Sequence, residues 1–180
     1  GVLSGEATRI GHLVEDLLTL ARADDAGVRI RAEDVDLDDL LDAEVRRLRS
    51  LSRHRIEVGL MEPVRVTGDA ARLGQVLRNV LDNAARHART RIAVGLVAKA
   101  GTAVLTVDND GDPVPEAERE RIFERFVRLD ESRSRDSGGT GLGLAIAAEI
   151  MAAHHGTITT SEPPGGGCRF EIRLPAQGGS

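Results

Sequence analysis

Residues 138–144 read Gly-Gly-Thr-Gly-Leu-Gly-Leu, with four glycines in six positions, and a helical run rich in Ala and Ile (AIAAEIMAAH) follows at once. A backbone stripped of side chains just before a helix start brings main-chain N–H groups close to a partner, and the partner such a turn suits is an anion. Two common forms of that device are excluded. A P-loop needs Lys-Ser or Lys-Thr after its last glycine, and here Leu144 follows Gly143. A dinucleotide fingerprint needs Gly-x-Gly-x-x-Gly directly after a strand, whereas Gly139, Gly141 and Gly143 follow a polar loop at every second position.

A second stretch is two-faced. Gly68-Asp69 opens a predicted helix that runs to about His87. At about 100° per residue, Arg72, Gln75, Asn79, Asn83 and Arg86 cluster within about 80°, while Leu73, Val76, Leu77, Val80, Leu81, Ala84 and Ala88 take the other side. A solvated face favours Glu and Lys, because amides are poorer helix formers. Two Asn at i and i+4 therefore suggest carboxamide oxygens holding a hydrated Mg²⁺, with Arg86 one turn on to meet phosphate. An ordinary surface helix that happens to contain two Asn fits the same pattern.

The third stretch is Val107-Asp108-Asn109-Asp110-Gly111-Asp112-Pro113-Val114-Pro115. By the period of two, Leu105, Val107 and Asn109 share a strand face, so Asn109 is expected to turn inward as the strand ends. A buried Asn both accepts and donates, which complements an adenine edge. Asp and Gly making a tight turn is the plainer reading of the same residues.

Around these stretches the pattern is α+β. A helix is expected over about Leu37–Leu51 with Asp36 as its cap, and strands over 56–58, 64–66, 91–97, 103–107, 157–160 and 168–174, the third and fourth joined by a hairpin at Lys99–Thr102. A short helix is expected around Glu116–Phe126. At the N-terminus Leu3, Ala7, Ile10, Val14, Leu17 and Ala21 recur at spacings of four and three, a heptad seam that Leu13 and Leu20 widen. Three heptads want a partner helix, so the chain reads as a piece of something larger, with Ala23–Gly27 ending the helix.

Composition narrows the partners. A formal net charge of −5 argues against nucleic acid as a ligand, and no apolar run approaches the roughly 20 residues of a membrane span. Membrane contact is then expected only through regions outside the chain. The single cysteine, Cys168, fits a reducing compartment. No His/Cys spacing supports a zinc site.

Five motifs in order carry a resemblance to the catalytic, ATP-binding domain of bacterial sensor histidine kinases, within the wider superfamily of gyrase, the ninety-kilodalton heat-shock chaperone and MutL. They are LGQVLRNVLDNAARHA, NDGDPVP (109–115), RIFERF with Phe123 and Phe126, GGTGLGL, and GGGCRFEIRLP (165–175). The resemblance implies a two-layer α/β sandwich of the Bergerat type: a mixed, mostly antiparallel sheet with three helices on one face, plus the N-terminal helix. Residues 1–22 resemble the second helix of the dimerisation and phosphoacceptor hairpin, 23–35 a linker, 36–175 the catalytic domain, and 176–180 a tail.

The same resemblance implies ATP with Mg²⁺ as the ligand. Asn83, with Asn79 beside it, would hold the metal, and Arg86 and His87 would approach phosphate and ribose. Asn109 stands where the family usually has an Asp that accepts the adenine amine, and its oxygen is expected to do the same. Gly111, Pro113 and Cys168 would border the base, the last two replacing a usual glycine and threonine. Phe123 belongs to the F box, and Gly139, Thr140, Gly141, Leu142, Gly143 and Leu144 to the second glycine box. Val127–Gly138 would be the ATP lid, with Arg133 and Arg135 as phosphate contacts.

The implied reaction is transfer of the ATP γ-phosphoryl to a histidine in two-component signalling. In ATP-hydrolysing relatives a Glu precedes the metal-binding Asn by one turn; here that position is Asn79, which cannot act as a base, so rapid hydrolysis is not expected. His12, His54, His154 and His155 lack the acceptor's surroundings, so the fragment is not expected to label itself. The implied partners are a second copy through the hairpin and a response regulator receiver domain, in the cytoplasm. Two other readings stand beside this one: a regulatory nucleotide-binding module with impaired turnover, and a serine kinase of the same superfamily.

Overall fold

A computed structural model of the chain describes residues 2–129 and 140–178. Helix α1 (Val2–Ala26) leads into strand β1 (Glu33–Asp36), helix α2 (Leu37–Leu51), strands β2 (Arg55–Met61) and β3 (Arg65–Gly68), and helix α3 (Ala70–His87). Strands β4 (Arg91–Lys99) and β5 (Thr102–Asn109), helix α4 (Gly143–Ala153), and strands β6 (Thr157–Ser161) and β7 (Cys168–Pro175) complete it.

The main sheet has the order β2-β4-β5-β7-β6, with β2 and β4 parallel and the other pairs antiparallel. That agrees with the mixed, mostly antiparallel sheet expected. Its inward face is set by strict alternation: Ile92, Val94 and Leu96 on β4, Ala103, Leu105 and Val107 on β5, and Phe170, Ile172 and Leu174 on β7 are all buried. Against it lie the apolar stripes of α2 (Leu37, Leu41, Val45, Leu48), α3 (Leu73, Val76, Leu77, Val80, Leu81, Ala84) and α4 (Ala145, Ile146, Ala147, Ile150, Met151). The hairpin between β4 and β5 is tighter than expected. Ala100 (φ 49°) and Gly101 (φ 75°) both take left-handed conformations, the geometry that matches strand twist in a two-residue turn.

Four local expectations change. The first helix continues to Ala26 and stops at Gly27, whose φ of 71° ends it in the manner of a C′ glycine. The stretch 23–35 contains the start of a strand, β1, which pairs with β3 in a separate two-stranded sheet and offers only Val35 to the core, too little pattern to be read beforehand. Asp36 begins α2 but does not cap it, because Arg65 engages both its carboxylate oxygens; Asp38 instead accepts the Val64 N–H. The helix expected around 116–126 is two 3-10 turns, Glu116–Glu118 and Arg121–Phe123, in a run too polar to supply a continuous apolar stripe.

Helix α1 packs against α4, with Leu20 only 2% exposed. Leu13 is half-buried against the core, while Ile10, Val14 and Leu17 remain exposed. Asp24 near its end forms a two-pronged pair with Arg125 at 2.7 and 2.6 Å.

Candidate nucleotide-binding site

Helix α3 crosses the inner face of the sheet with its apolar side down, so its polar side forms the floor of a cleft of about 1810 Å³. The Asp69 carboxylate starts the helix by accepting the Arg72 N–H at 3.1 Å. Asn79, Asn83, Arg86 and His87 all line the cleft. Their environments differ. Asn79 Nδ2 donates to the Gly143 carbonyl at 2.9 Å, whereas Asn83 has no hydrogen-bond partner among the described residues. Arg86 is pulled below the ordinary guanidinium value first by desolvation, with Asp82 opposing and Arg128 adding, but a guanidinium stays charged at neutral pH. Desolvation and then the Arg86 charge lower the pKa of His87, which favours a neutral ring there.

The second wall is the start of α4. Thr140, Gly141, Gly143 and Leu144 line the cleft, and Leu142, at the N-cap, is fully buried with no side chain capping the helix. The first-turn N–H groups are therefore available to an anion, and the helix dipole favours one there. Gly141 is required by the chain itself. Its φ is 74°, a Cβ there would lie 3.1 Å from the Phe126 Cα, and its carbonyl accepts the Phe126 N–H at 2.9 Å. Gly139, Arg133 and Arg135 lie outside the described residues.

At the far end β5 delivers Asn109 into the core, 4% exposed, beside Pro113, Val114 and Cys168 on the cleft wall. Asn109 Oδ1 accepts the Gly111 N–H at 3.0 Å, while Nδ2 is buried with no partner among the described residues. An unpaired buried donor costs about 1–3 kcal/mol, so a ligand acceptor there would relieve it. Gly111 is buried behind the wall, where a Cβ would meet the His87 carbonyl oxygen at 2.1 Å. Phe123 also stands behind the wall, edge-on to Phe170 with ring centroids 6.3 Å apart. Burial raises the Cys168 thiol pKa, and its sulfur lies 3.4 Å from the Thr160 hydroxyl.

Two features of the site have no counterpart in the sequence reading. Helix α1 forms the wall opposite α3, contributing Thr8, His12, Glu15, Asp16, Thr19 and Arg22. The Asp110 carboxylate accepts the main-chain N–H groups of Arg89, Thr90 and Arg91 and the Thr90 hydroxyl, locking the turn after α3 against the end of β5. A run of N–H groups converging on one carboxylate twenty residues away leaves no local signature.

Comparison with known proteins agrees with this geometry. The family model described as histidine kinase-, DNA gyrase B-, and HSP90-like ATPase matches residues 68–178. The chain belongs to that family. It is 43% identical to the probable sensor histidine kinase TcrY of Mycobacterium tuberculosis over 180 residues, covering 98% of this chain and 38% of that protein. Among solved structures it is similar to the mycobacterial sensor histidine kinase MprB, with a TM-score of 0.72 and 33% identity over 82% of this chain and 99% of that one. It is also similar to full-length ShkA in complex with AMPPNP, with a TM-score of 0.83 and 27% identity over 98% of this chain and 37% of that one. The chain spans about two-fifths of the length of the curated relatives it matches. No helix among the described residues is long and apolar enough to cross a membrane.

Proposed function

We propose that this chain is the ATP-binding catalytic portion of a sensor histidine kinase, which presents the γ-phosphoryl of ATP to a histidine outside residues 1–180. The observation that carries the reading is one cleft in which the Asn face of α3, the uncapped start of α4 and the buried Asn109 converge. The donor set suits Mg²⁺, a hard cation that takes oxygen ligands and keeps several waters. Asn83 would hold it, with the Oδ1 of Asn79 nearby, and the ion would supply charge neutralisation across the phosphates.

Each side chain then has a separate task. Arg86 and the α4 N–H groups bind phosphate oxygens, and neutral His87 offers a hydrogen bond rather than a second charge. Asn79 holds α4 in place and cannot take a proton from water, so hydrolysis is slow. Catalysis consists of positioning and charge stabilisation: the imidazole nitrogen of the acceptor attacks phosphorus in line and ADP leaves. Dimerisation of the whole protein through the α1 seam fits the exposure of Ile10, Val14 and Leu17, and a receiver domain is the onward acceptor. The setting is the cytoplasmic side of a membrane-anchored sensor.

Mixing the chain with a separately produced acceptor hairpin and γ-labelled ATP tests the proposal. Acid-labile label on a hairpin histidine is the expected result. Tight nucleotide binding without transfer would instead indicate a regulatory module, and acid-stable label a serine kinase.

A further inference from the structure

We infer that Asn109 offers the bound base a hydrogen-bond donor, so that this cleft takes a purine with an acceptor at position 6, such as hypoxanthine, about as well as adenine or better. The inference rests on the nucleotide reading above and concerns which base that site selects.

The orientation of the Asn109 amide is dictated by the chain. Its oxygen meets the Gly111 N–H at 3.0 Å; turned over, the amide would set its NH₂ against that N–H, donor to donor. With the oxygen turned back on its own loop, Nδ2 is the polar atom left over, in a residue that lines the cleft and is nearly fully buried. Neighbouring groups do not offset this. Pro113 has no N–H, and the Cys168 thiol is engaged with the Thr160 hydroxyl. Adenine brings an amine to position 6, which opposes a donor, and can accept only at its ring nitrogens. The O6 of hypoxanthine accepts directly. Guanine carries the same O6 but adds an amine at position 2, so hypoxanthine isolates the contact.

The family resemblance implies that the Asn109 oxygen takes the adenine amine, as a carboxylate would. A carboxylate can accept the Gly111 N–H with one oxygen and an amine with the other. A carboxamide whose oxygen faces that N–H turns its nitrogen, not a second oxygen, to the other side.

Calorimetric titration of the chain with ATP and with ITP, both with Mg²⁺, tests the inference, and the same pair is run on Asn109→Asp. In the unmodified chain ITP is expected to bind no more than about threefold more weakly than ATP. In Asn109→Asp the preference is expected to move toward ATP by about tenfold or more. An unmodified chain that prefers ATP by more than about threefold overturns the inference and leaves the nucleotide reading standing. An unchanged preference in a folded Asn109→Asp variant also overturns it. Failure of both nucleotides to bind removes the nucleotide reading itself and the inference with it. The comparison in the unmodified chain decides the matter even where the variant does not fold.

Discussion

Asn79 Nδ2 donates to the Gly143 carbonyl at 2.9 Å, tying the middle of α3 to the first residue of α4 across 64 positions of sequence. The bond aligns the two walls that would enclose a triphosphate, and it separates the roles of the two asparagines on α3. Asn79 is held within the protein, whereas Asn83 has no hydrogen-bond partner among the described residues.

Substitutions should therefore divide. Asn79→Ala is expected to lower unfolding free energy by about 1 kcal/mol, the usual net value of one such bond, and to weaken ATP binding in proportion to the loosened α4. Asn83→Ala is expected to leave stability within about 0.5 kcal/mol and to remove the Mg²⁺ dependence of ATP binding. Urea unfolding and titration with and without the metal measure both. Equal stability losses in the two variants would contradict the division.

Gly141→Ala places a Cβ at positive φ and 3.1 Å from the Phe126 Cα. The conformational cost alone is about 1–2 kcal/mol, and the backbone contact adds to it. Since the strain falls at the α4 entry, triphosphate affinity should drop more than the melting temperature suggests. A variant binding ATP as tightly as the unmodified chain would refute this.

Asp110 predicts a pH effect with a defined sign. The Thr90 hydroxyl, opposed by desolvation, and then the main-chain N–H groups of Thr90, Arg91 and Arg89 hold its carboxyl far below the usual range. A depressed folded pKa contributes stability that is present above the unfolded value near about 4 and is lost as pH falls further. Asp110→Asn should thus destabilise the protein at neutral pH, and its difference from the unmodified chain should shrink between about pH 4 and pH 2. Melting temperatures across that range give the answer; a difference that stays constant would rule out the clamp.

His154 is buried at the end of α4, with Nδ1–H donating to the Ile150 carbonyl at 2.8 Å and Nε2 accepting the Asp69 N–H at 3.0 Å. The ring bridges the end of α4 to the start of α3. His154→Phe should cost about 1–3 kcal/mol by stranding the Asp69 N–H, and amide exchange should quicken in the first turn of α3. Unaltered exchange there would disprove the bridge.

How far the sequence reached depended on whether a feature was periodic or tertiary. The two faces of α3 follow from 3.6-residue spacing, and the inward turn of Asn109 follows from a period of two; the structure has both. The α1 wall could not be read, because the seam signals a partner helix without saying that Thr8, His12 and Asp16 face the cleft. Asp110 sits in a turn-forming sequence, and its function as a clamp comes from backbone brought alongside by β4. The amide orientation of Asn109 depends on one N–H two residues away, which a residue pattern does not encode.

The central claim is that this cleft binds adenine nucleotide through Asn83 and the start of α4. Calorimetric titration of the chain with ATP, first in millimolar magnesium and then with the metal chelated, tests it most directly. The account predicts saturable uptake at one site, weakened by about tenfold or more when magnesium is removed or Asn83 is replaced by Ala. No uptake by the folded chain in either condition would contradict it.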